Sequence, residues 1–106
     1  LAGLLAAGLE ASAFERGCPV ATTALEVTPR SEPVRVAVQA SFDAWLAPLR
    51  ARLEETGFER REAARRADLT IAALEGALIL ARARQNADVL REAGRQLSPL
   101  LRPPEA

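Results

Sequence analysis

The run DLTIAALEGALILARAR (Asp68–Arg84) constrains the fold of this chain more than any other stretch. A helix on the outside of a domain needs one apolar stripe, yet this one is apolar on nearly every side. At about 100° per residue, Ile71, Leu74 and Leu78 share one face. Leu69, Ala73, Gly76, Leu80 and Ala83 fall on the far side. A helix apolar all round belongs in a large core or in a membrane. Crossing a membrane takes about 18 or more unbroken apolar residues, and Glu75 and Arg82 interrupt this run. The chain has 106 residues, enough for one domain whose core buries roughly two-thirds of its unfolded surface. Four other helices cannot wrap a fifth on all sides at that size. A second copy can, because a flat helical face of small residues suits a two-fold axis. Gly76, with alanines around it, removes bulk where another helix backbone comes close.

Helical spacing governs the rest of the chain, and no segment alternates with strand period. Residues 2–16 suit a first helix, stopped by Gly17, and Pro19 opens a second, PVATTALEV. Thr28–Pro33 is a loop. Ser31 is placed to cap a third helix that runs to about Thr56, where Gly57 closes it. Its stripe is Val34, Val38, Phe42, Trp45, Leu49 and Leu53, and Pro48 inside it is expected to kink or break the helix. A fourth helix covers about 59–84. Asn86 is placed to cap a fifth, with Asp88 in its first turn and a stripe of Leu90, Ala93, Leu97 and Leu101. Pro99 and Pro103 mark its fraying into a tail at 102–106.

The expected fold is therefore all-α: one domain over 1–106, a five-helix orthogonal and antiparallel bundle. Its last two helices pair with those of a second copy in a four-helix homodimer interface. That interface takes Leu69, Ala73, Gly76, Leu80 and Ala83 from one helix, and Leu90, Ala93, Leu97 and Leu101 from the next.

Charge and rare residues narrow the function. The 14 basic residues, all arginine, balance 14 acidic ones, whereas a chain that grips phosphates is normally basic. Arginine without lysine, beside abundant alanine, points to GC-rich bacterial coding. There is no histidine, which removes the commonest general acid–base group and metal ligand. No metal-ligand spacing, phosphate loop or nucleophile–base pair is present, so neither an enzyme nor a cofactor is expected. The one cysteine allows no disulfide within the chain, which fits a reducing cytoplasm. LAGLLAAGLEASA has the look of a signal peptide ending in Ala11-Ser12-Ala13. It lacks a basic start and Glu10 interrupts it, so the better expectation is a helix cut from a longer protein.

Three features need a bland reading beside the sharp one. Cys18 at a helix start has the setting of a reactive thiol, but lone cysteines are mostly buried and inert. Arg60, Arg61, Arg65 and Arg66 lie among Glu59, Glu62 and Asp68 at pairing distance, which reads as a solvated, salt-bridged face. Glu75 either reaches water at the domain edge or accepts hydrogen bonds from the free N–H groups of the helix opened by Cys18-Pro19.

GCPVATTALE (Gly17–Glu26), Phe42 and Trp45 in FDAW, and LEGALILAR (Leu74–Arg82) occur in an order and spacing that carry a family likeness. Over about residues 14–97 the chain resembles the C-terminal effector domain of TetR-type transcriptional repressors, in the subgroup of LmrA and YxaF. The resemblance implies a helical domain that holds a small effector inside it and dimerises through its last two helices. Operator DNA would be bound through a separate N-terminal helix-turn-helix domain, and nothing in this chain resembles that half. Phe14, Phe42, Trp45, Leu49, Leu74 and Leu78, all from inward stripes, are the expected pocket lining, and a small, largely apolar effector is the expected ligand. An aromatic stripe is more often plain core. A close-packed structural dimerisation module without a ligand is therefore the rival expectation.

Overall fold

The structure is a computed structural model that describes residues 30–104 together with Gly3, Ala6, Ala7, Val20, Ala24 and Glu26. Three helices follow in order among the described residues: α1 (Glu32–Glu55), α2 (Arg60–Arg84) and α3 (Asp88–Leu101). No strand occurs among them, in keeping with an all-α chain. Of the five helices expected, the first two lie largely outside the described residues, so a five-helix bundle is not what these residues define. Gly3, Ala6, Ala7, Val20, Ala24 and Glu26 are helical.

Local chemistry sets each helix boundary. Ser31 is extended and its hydroxyl accepts from the Val34 N–H at 3.4 Å, satisfying one of the free donors of the first turn. Glu32 and Pro33 stand in that turn, where a negative charge and a missing N–H are both favourable. The helix ends at Thr56 in a Schellman arrangement, with Gly57 N–H to the Glu54 carbonyl and Phe58 N–H to the Leu53 carbonyl, both 3.1 Å. Gly57 takes φ 116° there, a conformation open to glycine at little cost. Phe58 and Leu53 are both buried in one cluster, supplying the apolar contact that accompanies this motif.

Glu59 then caps α2 with its own carboxylate, accepting from Arg61 and Glu62 N–H at 3.0 and 3.2 Å. At the far end Gln85 adopts φ 54°. The same motif closes α2 there: Gln85 N–H meets the Arg82 carbonyl at 3.3 Å and Asn86 N–H the Ala81 carbonyl at 3.2 Å. The Gln85 side-chain amide also donates to the Arg82 carbonyl at 2.8 Å.

Three boundary expectations need correction. Pro48 does not break its helix, since α1 runs unbroken through it. One lost hydrogen bond is outweighed where Leu46, Leu49 and Leu53 on either side pack against α2. The N-cap of α3 is Ala87 rather than Asn86. Asn86 Oδ1 still accepts from the Asp88 N–H at 2.8 Å, the first N–H of the helix. Fraying does not begin at Pro99, which stands inside α3, and the helix continues to Leu101.

Helix α2 is the centre, packing against both α1 and α3. Its first half joins Leu46, Leu53 and Phe58 through Ala63 and Ala67. Its second half joins Leu90, Leu97 and Ala87 through Leu74, Ala77, Leu78 and Ala81, with Ala6 in the same cluster. Four of the α2 core residues are alanines, which allow the neighbouring backbones to approach closely.

Polar ties reinforce both contacts. The Arg50 guanidinium donates to Asp68 at 2.9 Å, bridging α1 and α2. Arg66 donates to Glu62 at 2.9 Å and to the Leu100 carbonyl at 2.7 Å, and lies over the Phe58 ring at 4.7 Å. Of the arginines expected in a salt-bridged face at the start of α2, Arg66 pairs with Glu62 at 2.9 Å and Arg65 with the same carboxylate at 3.6 Å. Asp68, expected in the same face, serves α1 instead.

The slab formed this way measures 44 × 35 × 16 Å between Cα extremes, little thicker than one helix of about 10–12 Å. Its radius of gyration is 14.9 Å, against about 13 Å for a compact chain of this length. Among the described residues, a layer this thin covers α2 from one side only.

Candidate functional site

Two surfaces follow from that geometry. The first is the outer side of α2. Leu69, Ala72, Ile79, Leu80 and Ala83 are exposed and Ala73 and Gly76 half-buried, all within an arc of about 120°. Leu69 is 50% exposed, Ile79 56% and Leu80 45%. Three large aliphatic side chains left in water on one helix face form an apolar patch of the kind that marks an interaction site. The buried residues of α2 occupy the opposite arc. Only a sliver holding Asp68, Glu75 and Arg82 separates the two on one flank, which explains the greasy sequence: α2 has two apolar sides.

The second surface is a groove of about 910 Å³ bordered by all three helices. Its buried and half-buried floor is Leu49 of α1, Thr70 and Leu74 of α2, and Leu97 and Leu101 of α3. Gly3 also lines it. The Thr70 hydroxyl donates to the Arg66 carbonyl at 2.7 Å, so its polar hydrogen is already satisfied. The α3 side carries Arg91, Arg95 and Ser98, with Arg102 and Pro103 beyond the helix end.

The residues expected from sequence distribute unevenly. Leu49 and Leu74 line the groove. Leu78 is in the core beside Leu74. Phe42 and Trp45 pack edge to face, ring centroids 5.3 Å apart, with Trp45 40% exposed, and neither borders the groove. Phe14, Cys18 and Pro19 lie outside the described residues. Glu75 is half-buried, and its Oε2 is shielded from solvent with no hydrogen-bond partner among the described residues.

For the pairing surface, Leu69, Ala73, Gly76, Leu80 and Ala83 do share the open side of α2. The α3 stripe behaves differently. Leu90 is fully buried and Leu97 nearly so, in the chain's own core, while Leu101 packs on the α1 side. Burial against α2 has used that stripe. Ala93 remains half-buried at the edge, with Val89 and Leu100.

Sequence reasoning missed Ile79 on the open face, which sits at the edge of the arc. It also missed Arg91 and Arg95, although their spacing places them within about 40° of one another around α3, and Arg102 just past its end.

No group of histidine, cysteine or carboxylate side chains among the described residues could hold a metal. No helix among them is long and apolar enough to cross a membrane. The described residues thus form an all-α slab with one open apolar helix face and an adjoining groove. The family model described as "Transcriptional regulator LmrA/YxaF-like, C-terminal domain" matches residues 1–96. The chain belongs to this family of TetR-type regulator C-terminal domains, as the resemblance around GCPVATTALE and LEGALILAR implied. Such domains serve transcription regulators and are not typically enzymes. No curated protein and no solved structure matches the chain.

Proposed function

We propose that this chain is the effector-binding and dimerisation domain of a bacterial, cytoplasmic TetR-like transcriptional repressor, whose operator contacts are made by a separate helix-turn-helix domain. The observation that carries this reading is that α2 serves both surfaces: Thr70 and Leu74 face the groove, and Leu69, Gly76 and Leu80 the open side. A ligand that fits the groove in only one arrangement of α2 shifts the population toward that arrangement. Because the same helix would form the dimer contact, the shift changes the angle between subunits and so the separation of the DNA-reading heads.

The open face runs from Leu69 to Ala83, about 21 Å along the axis at 1.5 Å per residue. One pair of crossed helices of this length falls short of the roughly 1,200 Å² that a stable specific interface buries. The proposed interface therefore extends onto Val89, Ala93 and Leu100 of α3, in place of Leu90 and Leu97. Trp45, being the sole tryptophan, supplies an optical readout through α1, which contributes Leu49 to the groove. A screen of small lipophilic compounds should yield some that change its emission and raise the melting temperature. If none does so and the chain is still a dimer, the ligand-free dimerisation module is the correct reading.

A further inference from the structure

We infer that the groove takes an organic anion with an apolar body, its acid group held by Arg102 with Arg95; this rests on the effector-binding reading above and names the ligand class for it. The chain as a whole has equal numbers of acidic and basic residues. Along the described lining of the groove the ionisable side chains are three arginines and no carboxylate. The acids nearest in sequence are engaged with these arginines from outside the lining, Asp88 at 3.9 Å from Arg91 and Glu92 at 2.6 Å from Arg95. Arg95 meets Glu92 through Nε and Nη2, which leaves Nη1 among its five donors for another acceptor. Arg102, just past the end of α3, is in no ion pair among the described residues.

Guanidinium groups recognise planar oxyanions bidentately and remain charged at any working pH. The floor beneath them is Leu49, Leu74, Leu97 and Leu101, which gives a small inorganic ion nothing to bury. A volume of about 910 Å³ falls within the range of sites for drug-sized molecules. The arrangement thus asks for one acid group and a body of roughly ten carbons or more. This adds one acid group to the small, largely apolar effector expected from sequence.

The test uses decanoate against decanol, the same body without the charge, titrated calorimetrically into the whole chain below micelle-forming concentrations. Decanoate should bind at one per chain, about fivefold tighter than decanol, as an exposed ion pair at the upper end of its range allows. The preference should shrink with added salt. Arg102→Gln should remove most of the preference and leave decanol binding unchanged, while Arg84→Gln, at the far end of α2, should alter neither. Equal affinity for decanoate and decanol, or an Arg102→Gln protein that keeps the full preference, overturns the anionic ligand while the effector-binding reading survives on a neutral one. If neither compound binds, the inference fails, and an equally negative lipophile screen then removes the effector-binding reading with it.

Discussion

Gly76→Leu sets two effects of opposite sign against each other. Among the described residues, a Cβ built at Gly76 meets nothing within 4 Å beyond the adjoining backbone of its own helix, so the substitution has room inside one subunit. Replacing glycine in a helix interior by leucine then favours α2 by about 0.8 kcal/mol. In a dimer crossing at Gly76 the added isobutyl group enters the space of the other copy, and overpacking costs about 1–3 kcal/mol. Both copies carry the change at one shared crossing, so the cost falls on the association alone. It corresponds to a rise in the dimer dissociation constant of roughly 5- to 150-fold. Sedimentation velocity over a dilution series reads that constant, and denaturant unfolding well below it reads the stability of the single chain. The expected pair of results is a weaker dimer and a more stable monomer. A mutant dimer as tight as the wild type, or tighter, refutes the placing of Gly76 at the crossing.

Leu90 is fully buried within one chain, so Leu90→Ala should cost about 2–5 kcal/mol at concentrations where the protein is monomeric; a loss seen only in the dimer would return Leu90 to the interface. The Glu92 carboxyl is held below its usual value by the Gln96 side-chain amide and then by Arg95. Its ionised form therefore favours the fold above the ordinary carboxylate pKa, and that contribution disappears as pH falls through the lowered value. The gap in melting temperature between wild type and Glu92→Gln should accordingly close on the acid side of 4.5, and a gap that stays constant with pH contradicts this pairing.

Much of the helical skeleton was legible because its signals are local. Ser31, Gly57 and the 59–84 span each depend on neighbours within a turn, and each stands within a residue or so of its expected place. The break expected at Pro48 is absent because a proline's local penalty is readable in sequence, whereas the packing of Leu46, Leu49 and Leu53 that offsets it is not. The stripe of α3 misled for a different reason. Periodicity shows that Leu90, Leu97 and Leu101 share a face, but not whether that face meets the same chain or a second one. The aromatic stripe of α1 shares that ambiguity: Phe42 and Trp45 pack on each other, and Trp45 keeps much of its surface in solvent. The groove needed three helices in place before Arg91, Arg95 and Arg102 could be seen around Leu49, Leu74 and Leu97.

A second copy of the chain covering the open side of α2 is what dimerisation requires. Sedimentation velocity of the wild type beside Leu80→Glu, which sets a carboxylate in the middle of that face, measures this directly. The wild type should sediment as a species of twice 11.3 kDa that dissociates on dilution. Leu80→Glu should remain at the monomer mass with its helical circular dichroism intact, because a charge buried without a partner is far costlier than one in water. A wild type that stays monomeric at every concentration, or a Leu80→Glu dimer of undiminished affinity, would refute the pairing of this face.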